Sequence, residues 1–153
     1  MKRTAARWTA ALGLVTLVAC GEGIVAVEDT EFAPSLGIDL AQMTKTSSGL
    51  YYQDVTVGTG ALAAVGKVVS VHYIGWLADA TQFDINQPPT TPLQFTVGSG
   101  QVIPGFDEGV FQMQVGGRRK IVIPSHLGYG STGTGPIPPN AVLVFQVDLV
   151  AVQ

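Results

Sequence analysis

The sequence predicts an α+β fold, antiparallel strands arranged around one short central helix. Three observations carry that expectation. Runs rich in Val, Ile, Tyr, Phe and Trp recur along the chain, joined by connections of turn length. One stretch, around Phe106, has the i, i+4, i+7 spacing of a helix face. Nineteen glycines and nine prolines in 153 residues supply many turns and leave little room for long helices. Short connections favour antiparallel pairing over βαβ crossovers.

In chain order, Lys2, Arg3 and Arg7 open the sequence, and an apolar run from Trp8 to Ala19 follows. A spanning helix needs about 20 apolar residues, so this shorter run has the length and flanks of an export signal. It ends in "LVAC", and Cys20 is the only cysteine, which excludes an intramolecular disulfide. The tetrapeptide resembles the lipobox of bacterial lipoproteins, whose cysteine is lipidated and becomes the first residue. The expected organisation is a lipoprotein signal peptide over 1–19, lipidated Cys20 with an acidic spacer over 20–48, and a folded domain over 49–153. Acyl chains contribute about 0.8 kcal/mol per buried methylene, so several on Cys20 would anchor the protein to a lipid membrane. Gly21, rather than an aspartate, resembles an outer-membrane sorting signal, so the expected location is exported and lipid-anchored to the bacterial envelope, in the periplasm at the outer membrane.

The spacer carries Glu22, Glu28, Asp29 and Glu31 without a sustained period. Leu36, Leu40 and Met43 suggest a short helix within Ser35–Thr46, which Gly37 weakens; an extended tether is the other reading. Beyond Ser48, "LYYQDVTVG" and "GKVVSVHYIGWLA" read as strands, and "ATQFDI" and "PLQFTVG" as shorter ones around the proline-rich "NQPPTTP". "PGFDEGVFQMQVGG" is the helix: Phe106, Val110 and Met113 share a face, Pro104 suits its first turn, Asp107 and Glu108 suit its positive end, and Gly116-Gly117 end it. "RRKIVIP" and "AVLVFQVDLVAV" complete the strands; the charges of Arg118, Arg119 and Lys120 read as a solvated strand end.

Composition excludes several functions. Losing residues 1–19 would remove three of eight basic residues and none of eleven acidic ones, leaving a net charge near −6. Nothing then attracts nucleic acid. The chain has no nucleophile elbow, CxxC, HExxH or phosphate-cradling loop. His72 and His126 are the only histidines and have no carboxylates at ligand spacing, so no metal and no cofactor is expected. His72 reads as a structural side chain facing away from Val71 and Tyr73.

Three ordered blocks remain: "VHYIGWLADATQFD", "VIPGFDEGVFQMQVGGRRKIVIP" and "GYGSTGTGPIPPNAVLVFQVDL". Together, over about residues 49–153, they resemble the FKBP-type peptidyl-prolyl cis–trans isomerases. The resemblance implies an FKBP-like half-barrel, a five- or six-stranded antiparallel sheet wrapped around the short helix, with an apolar pocket between helix and sheet. It implies Phe106 as pocket floor, where many relatives have tryptophan, with Tyr73, Phe83, Val102, Ile103 and Phe145 as walls. It also implies Leu93, Phe95 and Ile137 as substrate-contacting positions and Asp84 as the pocket carboxylate. The backbone N–H of Ile103 and the hydroxyl of Tyr129 become substrate hydrogen-bond donors. The implied partners are X–Pro-containing polypeptides and macrolide ligands, and the chain is expected to be a monomer. It departs from the family pattern at Ala80, where a glycine is usual, at Leu93, often phenylalanine, and in a Tyr129 loop one residue short.

This chemistry fits residues that offer no nucleophile. Rotation about an amide faces a barrier of about 18–20 kcal/mol from resonance, while the two X–Pro isomers are nearly balanced. The twisted transition state is less polar than either planar form, so a dry aromatic pocket favours it. The resulting expectation is an isomerase assisting the folding of exported proteins. The alternative is a non-catalytic proline-segment-binding or chaperone module anchored to the envelope.

Overall fold

The computed structural model describes residues 25–153. The export signal and Cys20 lie outside the described residues. Among the described residues seven strands form one antiparallel sheet: β1 (Thr44–Lys45), β2 (Tyr51–Thr56), β3 (Val68–Leu77), β4 (Gln82–Asn86), β5 (Leu93–Thr96), β6 (Arg118–Ile123) and β7 (Leu143–Val152). The order is β1-β2-β6-β7-β3-β4, with β5 also on β3. The α+β architecture is therefore the one expected, and the strand beyond six is the two-residue β1 from the N-terminal segment. No helix of the described residues is long and apolar enough to cross a membrane.

The single α-helix of the described residues, α1 (Pro104–Val110), lies on the inner face of the sheet. Alternation along β3 and β6 sends Val69, Val71, Ile121 and Ile123 inward, where Phe106, Val110 and Met113 meet them. The helix sits close because it carries glycines where it faces the sheet. A Cβ on Gly105 would lie 2.3 Å from Ile123 Cγ2, and one on Gly109 would lie 2.4 Å from Ile121 Cδ1.

The helix ends earlier than the sequence suggested. Phe111 is its C-cap in extended geometry, and Gln112 follows with φ 63°. The Gln112 N–H bonds to the Ala63 carbonyl instead of continuing the helix. Arg119 is also not a solvated strand end. It is 6% exposed, donates to the Gly109 and Phe111 carbonyls at 3.0 and 3.1 Å, and pairs with Asp54 at 2.7 Å. A guanidinium thereby caps the helix C-terminus. Asp107 likewise does more than face the helix dipole: it accepts the Gly98 N–H at 2.7 Å and holds the preceding loop.

The segment read as an acidic spacer is docked over residues 25–48. Val27 and Leu36 are buried against Tyr51, Val122, Val142 and Val144 on the outer face of the sheet. Two apolar residues nine apart make no periodic signal, which is why their burial was not legible. The short helix considered within Ser35–Thr46 resolves into two 3-10 turns, Pro34–Leu36 and Leu40–Gln42, separated by Gly37 at φ 58°. The Ala33 N–H bonds to the Ala78 carbonyl, and the Lys120 ammonium donates to the Leu36 carbonyl. This strap thus binds the back of the sheet that carries the pocket on its front.

Candidate active site

Strand β3 supplies Tyr73, β7 supplies Phe145, β4 supplies Phe83 and Asp84, and α1 brings Phe106 to meet them. Gly75 makes the meeting possible. It is the register partner of both Phe145 and Asp84, and a Cβ there would lie 2.8 Å from the rings of Phe83 and Phe145. A glycine inside a run of strand formers is a known mark of close approach, and "YIGW" offered that signal. The rings pack edge to face. Phe106 lies 5.2 Å from Phe145 and 5.5 Å from Tyr73 between centroids, and Phe83 lies 5.5 Å from Phe145. Such geometry places positive ring edges on negative faces.

Above these rings is an open hollow of about 310 Å³, within the usual range for small-ligand sites. Its lining grades outward. Phe106 and Phe145 are buried; Tyr73, Leu93, Val102 and Ile103 are half-buried; Asp84, Gln101 and Tyr129 are exposed. Three residues named from the sequence do not line it. Phe83 supports Phe145 from behind, Phe95 packs on Phe106 at 5.8 Å within the core, and Ile137 is buried in the core beneath its loop. Gln101 is a lining residue that the sequence reading did not name. Its side-chain oxygen accepts the Thr96 N–H at 2.7 Å and is 3.0 Å from Ser99 Oγ.

The polar rim has defined roles. Tyr73 Oη donates to Asp84 Oδ2 at 2.8 Å, and the Ile85 N–H donates to Oδ1 of the same carboxylate at 2.8 Å. Burial, reinforced by the hydrogen bond to Asp84, raises the Tyr73 phenol well above its ordinary value. Burial and then the charge of Asp84 raise Tyr129 as well. Both phenols therefore stay protonated, and remain donors, at any physiological pH.

Among the donors on the hollow's lining that have no acceptor within the described residues are the Ile103 N–H and the Tyr129 hydroxyl. Ile103 is the helix N-cap, and its carbonyl accepts the N–H groups of Phe106 and Asp107, so its own N–H precedes the first turn. The Tyr129 loop is pinned at its base, Gly130 N–H to Ser125 O at 2.8 Å and Asn140 N–H to Gly130 O at 2.9 Å. Its tip closes through paired bonds between Thr134 and Ile137. Gly133 adopts φ 68°, and a Cβ there would lie 2.3 Å from the Ile137 carbonyl. That closure folds Ile137 inward and leaves Tyr129 at the surface, 37% exposed.

The histidines are elsewhere. His72 is buried and meets Asn86 Oδ1 at 2.8 Å through Nδ1, and His126 bonds to the Ser48 carbonyl. Neither lines the hollow.

Comparison with known proteins locates this arrangement. The family model described as FKBP-type peptidyl-prolyl cis-trans isomerase matches residues 60–150. An FK506-binding protein of Neisseria meningitidis serogroup B is 49% identical over 105 residues, 68% of this chain and 96% of its own. An FKBP-type peptidyl-prolyl cis-trans isomerase FkpA of Aeromonas hydrophila is 48% identical over 108 residues, 71% of this chain and 40% of its own. The crystal structure of FkpA from Escherichia coli matches with a TM-score of 0.67 at 40% identity, over 73% of this chain and 52% of that one.

Proposed function

The chain belongs to the FKBP-type peptidyl-prolyl cis-trans isomerases, and from that membership we propose that the hollow over Phe106 turns X–Pro bonds by desolvation and orientation. The observation that carries this reading is an aromatic-floored hollow whose edge holds the Ile103 N–H and the Tyr129 hydroxyl, neither with an acceptor among the described residues. A prolyl ring seated on Phe106 and Phe145 leaves water behind. The flanking substrate carbonyls accept from Ile103 and Tyr129, which holds the backbone while the C–N bond twists. Twisting removes amide resonance and charge from the carbonyl, so the low-polarity surroundings favour the twisted state over the planar ones. Asp84 holds the Tyr73 phenol in place and turns the hollow's one carboxylate to its rim. No proton is transferred, and the chain needs no titrating base.

The substrates on this reading are X–Pro polypeptides, and macrolides that mimic them compete for the same floor. Cys20 is acylated, and the domain assists the folding of exported chains at the envelope; the "LVAC" motif supports that part. A cis–trans assay on X–Pro peptides tests the enzyme reading. Acceleration by the folded protein should be flat between about pH 6 and 8. Phe106→Leu and Asp84→Ala should each lower kcat/KM about tenfold. Binding of X–Pro peptide with no acceleration would replace the enzyme by the binding module, and a bell-shaped profile near neutrality would bring His72 or His126 into the chemistry.

A further inference from the structure

Ser48 lies outside the hollow, on the turn between β1 and β2, yet it is bonded to both elements that carry the hollow's key groups. Its hydroxyl donates to the Glu108 carboxylate, 2.8 Å from Oε1 and 2.9 Å from Oε2. Thr46 Oγ1 is 2.8 Å from the same hydroxyl oxygen. Because the single Ser48 proton goes to the carboxylate, Thr46 is the donor in that contact. The Ser48 carbonyl accepts from His126 Nε2 at 3.0 Å, which fixes the proton on that nitrogen. The turn is held by Gly49 N–H to Thr46 O at 3.1 Å and Thr46 N–H to Leu50 O at 2.8 Å. Gly49 adopts φ 90°, a conformation that a side chain resists.

The two partners sit at telling places. Glu108 is on α1, two residues past Phe106, and His126 is three residues before Tyr129. The base of the Tyr129 loop is fastened to the 3-10 turn Ser125–Leu127 that carries His126, since Ser125 O receives Gly130 N–H. One residue therefore ties the helix bearing the floor to the loop bearing the exposed donor.

We infer that Ser48 is a positioning residue of the isomerase site: through Glu108 and His126 it fixes the Tyr129 hydroxyl relative to the Phe106 floor. The inference rests on the reading of Tyr129 as a substrate donor. A donor held in place before substrate arrives contributes orientation that a swinging loop would have to acquire during the reaction. Ser48 itself touches no substrate.

The test is a double-mutant cycle on the full chain, with peptide isomerisation as readout. Tyr129→Phe alone is expected to lower kcat/KM roughly three- to tenfold. Ser48→Ala is expected to cost a similar factor, seen in kcat more than in KM, and Ser48→Thr, which keeps the hydroxyl, to restore most of it. In the Tyr129→Phe background Ser48→Ala should cost nothing further, because the group it positions is gone. His126→Ala, at an exposed side chain, breaks the other half of the clamp without disturbing the core and should show the same dependence on Tyr129. It carries the test if Ser48→Ala fails to fold. Equal losses in both backgrounds, or Ser48→Ala and His126→Ala proteins as active as the parent, would overturn the inference while Tyr129→Phe still shows its own loss. A Tyr129→Phe protein with full activity would overturn the donor reading and this inference with it.

Discussion

At the scale of single residues, what a polar side chain has left to offer a ligand is decided by its partners. Tyr129 and Tyr73 are both phenols at the same hollow, but Tyr73 donates to Asp84 while Tyr129 donates to nothing among the described residues. The first shapes the rim and the second is left with a proton to offer. Arg119 shows the opposite case. Its charge suggested a solvated residue, yet the side chain is buried with four hydrogen bonds' worth of geometry, two to Asp54 and two to helix carbonyls. Its carbon also lies 4.5 Å over the Tyr52 ring. Lysine has one ammonium and cannot form the paired contact to Asp54 while reaching both carbonyls. Arg119→Lys should therefore lower stability by about 2 kcal/mol, read as a lower denaturant midpoint with an unchanged slope. A midpoint equal to the parent's would show that the fork geometry contributes nothing.

At the scale of elements, the strap and the helix behave in opposite ways to the sequence signal. The helix was legible because Phe106, Val110 and Met113 repeat at helical spacing and all three are buried. Its end was not, because Arg119 and Ala63, distant in sequence, supply the bonds that stop it. The strap has no period at all. It is held by isolated apolar residues and by a side-chain network in which Glu28 accepts from Tyr51 Oη at 2.6 Å and pairs with Lys45. A free spacer would tolerate any substitution within about 0.5 kcal/mol. Leu36 is buried, so Leu36→Ala should cost about 2 kcal/mol, at the lower end for a buried leucine. A thermal-unfolding midpoint unchanged by Leu36→Ala would return the segment to a spacer.

At the scale of the whole molecule, the sheet has two working faces. The front holds the helix and the hollow, and the back holds the strap, which braces the sheet from behind through Ala78 and Lys120, while Ser48 at its end reaches the helix through Glu108 and the base of the Tyr129 loop through His126. The proposed export and anchoring predict that mass spectrometry of protein extracted from cells finds Cys20 at the N-terminus bearing acyl chains. A chain that is cleaved but unacylated, or that retains Met1, would end that part of the proposal. The sequence by itself determined the strands from β2 onward, the start of the helix and the three blocks that carry the family, because alternation, helical spacing and glycine placement are local and act within a few residues. It also named most of the hollow's lining, since those blocks hold it. Only the tertiary structure decided that Phe83, Phe95 and Ile137 lie behind the lining, that Gln101 belongs to it, and that the strap and Arg119 are buried. Strand period tells which face a side chain takes, but whether that face meets a helix, a hollow or a distant loop depends on contacts between residues far apart in the chain.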